Sequence, residues 1–116
     1  MDKKTILVVD DKEDIRILLE DFLTSAGYDP ITCEDGKHAI SHISSANILI
    51  TDFNMPPGMN GAELTEIAKR QKPTMPVIIM TGSPEDIPAD HLADAVVEKP
   101  LDIKQLQKVI ADLINN

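Results

Sequence analysis

Ile6-Leu7-Val8-Val9-Asp10-Asp11 is an unbroken aliphatic run that stops on two carboxylates. A strand wetted on one side alternates apolar and polar residues, whereas a continuous run reads as a strand buried on both faces. Ile48-Leu49-Ile50, Val77-Ile78-Ile79-Met80 and Ala95-Val96-Val97 repeat the pattern. A weaker run, Pro30-Ile31-Thr32-Cys33, has the proline and sparse apolar content of an edge strand. Between the runs the apolar spacing turns helical. Ile15, Leu18, Leu19, Phe22, Leu23 and Ala26 make one buried stripe, stopped by Gly27. Ala39, Ile40 and Ile43 make a second, and Leu64, Ile67 and Ala68 a third, closed by Lys69, Arg70 and Pro73. Asp102 is the expected N-cap of the last helix, whose stripe is Ile103, Leu106, Val109, Ile110 and Leu113. The connection from Gly82 to Asp94 contains Pro84 and Pro88, and only Ile87 and Leu92 as large apolar residues. It has room for no more than a short or irregular helix.

Alternating β and α elements give an α/β fold: a doubly wound five-stranded parallel sheet, flavodoxin-like with order 2-1-3-4-5, helices on both faces and the fourth helix short or irregular. No linker, repeat or low-complexity tract interrupts the chain, so one domain is expected over residues 1–116. The composition agrees: 42% apolar and 27% charged residues are ordinary for a globular domain. Twenty acidic against eleven basic residues give a formal charge of −9, which argues against nucleic acid and against anionic membrane surfaces as partners. No apolar run approaches the ~20 residues that cross a bilayer. A single cysteine, Cys33, can form no internal disulfide, and a cytoplasmic location is the expectation. With no Trp, one Tyr and two Phe, the core is aliphatic and aromatic stacking sites are poorly supplied.

In doubly wound sheets ligands bind beyond the carboxyl ends of the strands, where strand order reverses. The polar residues that follow the apolar runs are therefore the candidates: Asp10 and Asp11, Thr51-Asp52, Thr81, and Glu98-Lys99-Pro100. Strands 1 and 3 are neighbours in the expected order, so Asp10, Asp11 and Asp52 converge. Carboxylates this close raise the cost of ionising one another, and such a site calls for a cation. Hard oxygen donors without His or Cys favour Mg²⁺ over Zn²⁺. Lys99 adds a fixed ammonium and Thr81 a hydroxyl. A cation, an ammonium and a hydroxyl around one carboxylate suit phosphoryl transfer to Asp52.

Asp10-Asp11, Asp52, Thr81 and Lys99-Pro100, in this order at predicted strand ends, resemble the receiver domain of two-component response regulators, and the single-domain chemotaxis-type members in particular. The resemblance spans the whole chain. It implies that Asp52 accepts a phosphoryl group from the phosphohistidine of a sensor histidine kinase or histidine phosphotransfer protein. It further implies that Asp11 binds Mg²⁺ directly with Asp52 and the backbone carbonyl of Asn54, that Asp10 assists, and that Lys99 and Thr81 contact the phosphoryl oxygens. Such a domain catalyses its own phosphorylation and dephosphorylation without being a conventional turnover enzyme. A stand-alone regulator that signals by phosphorylation-dependent protein contacts is the expected whole.

The resemblance departs from the family pattern in three places. Gly61 lies nine residues after Asp52, where eight is usual, an insertion at Pro57-Gly58. Val96 stands where the family carries an aromatic switch. The segment from Thr81 to Lys99 is shorter than is common, and Ser83, two after the threonine, is a candidate for tuning hydrolysis together with Asn54. Other features have plainer readings. His38 and His42 fit a solvated helix face better than a zinc site, Cys33 fits a small strand residue, Met55 and Met59 pack the loop, and Glu13-Arg16-Glu20 is a solvated stripe. Ile17, apolar but off the buried stripe, is a partner-contact candidate. Two other functions compete with phosphoryl signalling: a phosphorylation-independent interaction module, and an aspartyl-nucleophile phosphatase, which would want an acid where Asn54 stands.

Overall fold

A computed structural model describes residues 3–115. Strands β1 (Thr5–Val9), β2 (Asp29–Cys33), β3 (Ile48–Asp52), β4 (Val77–Thr81) and β5 (Ala95–Glu98) form one parallel sheet in the order β2-β1-β3-β4-β5. The helices are α1 (Glu13–Ser25), α2 (Gly36–Ala39), α3 (Gly61–Gln71) and α4 (Ile103–Ile114). Because strand side chains alternate, each central run feeds two cores. Leu7, Val9, Leu49 and Val77 pack with Ile43, Leu64 and Ala68 on the α2/α3 face. Ile6, Val8, Ile48, Ile50, Ile78 and Met80 pack with Leu19, Leu23, Leu106 and Ile110 on the α1/α4 face. Among the described residues no helix is long and apolar enough to cross a membrane.

Gly27 after α1 and Asp102 before α4 end their helices as predicted, and Asn60 caps α3. Gly27 adopts φ +94°, a left-handed conformation open to glycine without Cβ strain, and Tyr28 N–H closes on Leu23 O at 3.0 Å. Asn60 and Glu63 form a reciprocal capping box on α3, each bond 2.9 Å. Asp102 caps α4 by accepting from Lys104 N–H and Gln105 N–H.

Three sequence expectations need correction. The second helix is α-helical only over Gly36–Ala39 and continues as a 3₁₀ stretch over Ile40–Ser45. The Ser41 hydroxyl donates to the backbone carbonyl of His38 there, and Ile40 and Ile43 are β-branched. Leu18, placed on the buried stripe of α1, is 45% exposed, and Ala26 is also exposed. The connection between β4 and β5, read as room for no more than a short or irregular helix, contains a 3₁₀ turn at Pro84–Asp86 and is otherwise irregular. Among the described residues nothing helical therefore covers the outer face of β5, an edge strand, and Val96 is 37% exposed rather than buried on both sides.

A polar staple holds this uncovered edge. Asp94 accepts from Lys69 Nζ and from Val77 N–H, both at 2.8 Å, while Lys69 also donates to Met75 O at 2.8 Å. One carboxylate thus ties α3, the start of β4 and the entry to β5. Asp94→Ala should cost about 1–2 kcal/mol, because the Val77 N–H loses a charged acceptor in a partly exposed site. Urea unfolding of the variant checks this, and an unchanged midpoint would contradict it.

Candidate functional site

Parallel pairing brings the predicted residues to one edge of the sheet. Register pairs Val9 with Thr51, Asp52 with Met80, and Thr81 with Glu98, so Asp10, Asp52, Thr81 and Lys99 end neighbouring strands. Asp10, Asp11 and Asp52 each offer a carboxylate oxygen within 4.8 Å of the others. Asp10 and Asp52 are buried, and Asp11 is exposed at the rim. Lys99 Nζ lies 3.1 Å from Asp52 Oδ1 and 3.3 Å from Asp10 Oδ2. Its own backbone N–H donates to Thr81 O at 2.8 Å, and the Lys99-Pro100 peptide is cis. The Thr81 hydroxyl accepts from Ser83 N–H at 3.0 Å, which leaves its proton to donate elsewhere. Asn54 is exposed, just beyond Phe53.

Three carboxylates and one ammonium leave the site formally two charges negative. Burial pushes the Asp52 carboxyl above its usual range, and Asp10 and then Asp11 add to this against the opposing pull of Lys99. Burial alone would lower the Lys99 pKa, but attraction from Asp10 and Asp52 outweighs it and holds the ammonium protonated. Ionising Asp52 therefore carries a cost, which the Lys99 ammonium offsets only in part. An all-oxygen donor set this tight suits a small hard divalent ion and offers nothing to a thiophilic one.

A model of the response regulator receiver domain matches residues 6–111. The chain belongs to this family. Among curated relatives of the receiver, the transcriptional regulatory protein YrkP of Bacillus subtilis is 38% identical over 114 residues, covering 93% of this chain and 48% of YrkP. The autoinducer 1 sensor kinase/phosphatase LuxN of Vibrio harveyi is 28% identical over 116 residues, covering 96% of this chain and 14% of LuxN. This receiver thus spans less than half the length of either relative. The structure of the chemotaxis response regulator CheY4 of Vibrio cholerae superposes with a TM-score of 0.85 at 28% identity, over 97% of this chain and 99% of that one.

The receiver's extended loop after Asp52 is accommodated without displacing its closure. Gly61 N–H donates to Phe53 O at 2.8 Å, and a Cβ on Gly61 would lie 2.5 Å from Asp52 O. The glycine is needed for this close approach, and the surplus residue emerges at the exposed Pro56-Pro57-Gly58, where the Pro56-Pro57 peptide is also cis. Gly61→Ala should cost about 1–3 kcal/mol by forcing α3 away from the Asp52 backbone. Chemical denaturation measures it, and wild-type stability would show that the loop yields freely.

Two features escaped the sequence reading. Arg16, assigned to a solvated stripe, is half-buried and donates from Nη1 to Asp10 O at 2.8 Å, fixing the turn that presents Asp10 and Asp11. Its position in the first turn after the acid pair was the available signal. His38 does not pair with His42. Its Nδ1 lies 2.7 Å from Asp35 Oδ1, and the His38 backbone N–H also donates to that carboxylate, which depresses the Asp35 pKa. Burial raises the Cys33 thiol pKa, in keeping with a packed strand residue.

Proposed function

We propose that this receiver accepts a phosphoryl group on Asp52 from the phosphohistidine of a sensor histidine kinase or histidine phosphotransfer protein, in a Mg²⁺-dependent reaction. We read residues 1–116 as one domain that signals in the cytoplasm by phosphorylation-dependent protein contacts. The observation that carries this is the Lys99 ammonium held between Asp52 and Asp10, with Asp11 in reach.

A carboxylate oxygen of Asp52 attacks phosphorus, a P–O bond forms, and the P–N bond breaks with its electron pair leaving on imidazole. Lys99 is placed to neutralise charge on the equatorial oxygens, and Thr81 to donate its free hydroxyl proton. Asp10, Asp11, Asp52 and the Asn54 carbonyl would hold Mg²⁺, which when bound supplies further charge neutralisation. Arg16 positions Asp10 through its carbonyl. Incubation with acetyl phosphate and Mg²⁺, followed by intact mass, should show a single phosphoryl adduct that chelation by EDTA prevents. No adduct, or one indifferent to EDTA, would overturn the reading.

The response should be sought in the connection between β4 and β5. Between Ser83 and Asp94 there is one 3₁₀ turn, Leu92 is exposed, and Val96 has no ring to swing against Thr81. The staple pins only the Asp94 end. Amide NMR shifts on adding a phosphoryl mimic should be larger over Ser83 to Asp94 than at Phe22 or Tyr28, which lie away from Asp52. A silent segment would count against this.

A further inference from the structure

A groove of about 630 Å³ opens beside the carboxylate cluster, between the β2–α2 turn and the extended loop after β3. Its apolar floor comes from Met55, Pro57 and Met59, and its rim carries Asp11, Glu34 and Asp35 against Lys37 alone. The inserted Pro57-Gly58 forms one wall. The opposite wall closes where Met59 presses on Gly36, since a Cβ there would lie 2.6 Å from Met59 Cγ. Asp11 belongs to both the groove and the carboxylate cluster, so an occupant lies next to the phosphoryl-accepting edge.

We propose that this groove seats a segment of the phosphodonor protein that carries an apolar side chain flanked by lysine or arginine, an inference resting on the function proposed above. Methionine floors adapt to aliphatic side chains of varied shape. The surplus of rim carboxylates selects basic over acidic flanks, and it rejects a free anion or an acidic peptide. Seating in the groove would set the donor's phosphohistidine beside Asp11 and Asp52, so the insertion acts in partner choice and leaves the chemistry to the carboxylate cluster.

The probe is a synthetic peptide of histidine, leucine and lysine, with a counterpart in which glutamate replaces each lysine. Titrated into the full chain, the lysine peptide should shift the methyl resonances of Met55 and Met59 and leave that of Met80, which is buried in the core on the opposite face of the sheet. The glutamate peptide should shift none. Glu34→Lys should weaken lysine-peptide binding about threefold and Lys37→Glu should strengthen it by a similar factor, as expected for exposed rim charges. With the histidine phosphorylated, transfer to Asp52 from the lysine peptide should outpace transfer from the glutamate peptide about tenfold. Equal shifts from both peptides, affinity indifferent to both charge reversals, or equal transfer rates would overturn the proposal. The methyl shifts need no phosphoryl transfer: a missing acetyl phosphate adduct overturns the proposed function, whereas flat methyl spectra overturn the groove.

Discussion

Asp52→Asn should take up no phosphoryl group from acetyl phosphate, yet should melt above the wild type at neutral pH without Mg²⁺. The carboxamide keeps the shape and can still accept from Lys99, but it is no nucleophile, so the adduct is lost entirely. The stability gain follows from the environment of the carboxylate. Asp52 is 4% exposed, and burial together with Asp10 raises its pKa in the folded chain above the ordinary 3.8. A folded carboxyl with a raised pKa binds its proton more tightly than the unfolded one does. Its ionised form therefore destabilises the fold, and stability recovers as pH falls through the raised pKa towards 3.8. Removing the charge should add about 1–2 kcal/mol near neutrality, the size common for relieved functional sites. Melts recorded across pH should show the gap between variant and wild type closing as the solution is acidified. Mg²⁺ should narrow the gap as well, because it stabilises the wild-type cluster more. A variant that melts below the wild type at neutral pH would show that the Lys99 pairing outweighs the repulsion.

The site was legible because parallel sheets turn sequence position into spatial position. Asp10, Asp52, Thr81 and Lys99 each follow an apolar run, and strand ends in one sheet share an edge whatever the loops do. What the runs could not say is which strand is covered. Ala95-Val96-Val97 reads like the central strands, but the irregular segment before it supplies no helix, so Val96 meets water. Leu18 fits the stripe of α1 by spacing, yet the stripe is wider than the surface that receives it. Arg16 looked like one more surface charge because its target is a backbone carbonyl, which no pattern of side chains records. The same holds for Lys69 and Asp94, twenty-five residues apart and joined only by the fold.

Lys99→Met tests the opposite side of the same balance and should slow phosphoryl uptake about 10²- to 10³-fold, the usual cost of removing one preorganised donor from developing oxyanion charge. The ammonium lies 3.1 Å from Asp52 and 3.3 Å from Asp10, and its side chain is 21% exposed, so water cannot fully replace it. Without it two buried carboxylates lose their counter-charge. The fold should lose about 2–3 kcal/mol at neutral pH, somewhat less than breaking a fully buried pair, because Asp52 can take up a proton in response. The sign of the pH effect follows: the Asp52 pKa rises further in the variant, so its deficit shrinks as pH falls and the carboxyl neutralises. Mg²⁺ binding should move the other way from the rate. The ammonium and the divalent ion compete for the same carboxylates, so its removal should tighten the metal while uptake collapses. A charge that only held the fold together would lower stability and leave uptake near wild type once Mg²⁺ had restored the fold. Slow uptake by a metal-saturated, folded variant is the result that places Lys99 on the phosphoryl group, and it is measured by titrating Mg²⁺ before adding acetyl phosphate.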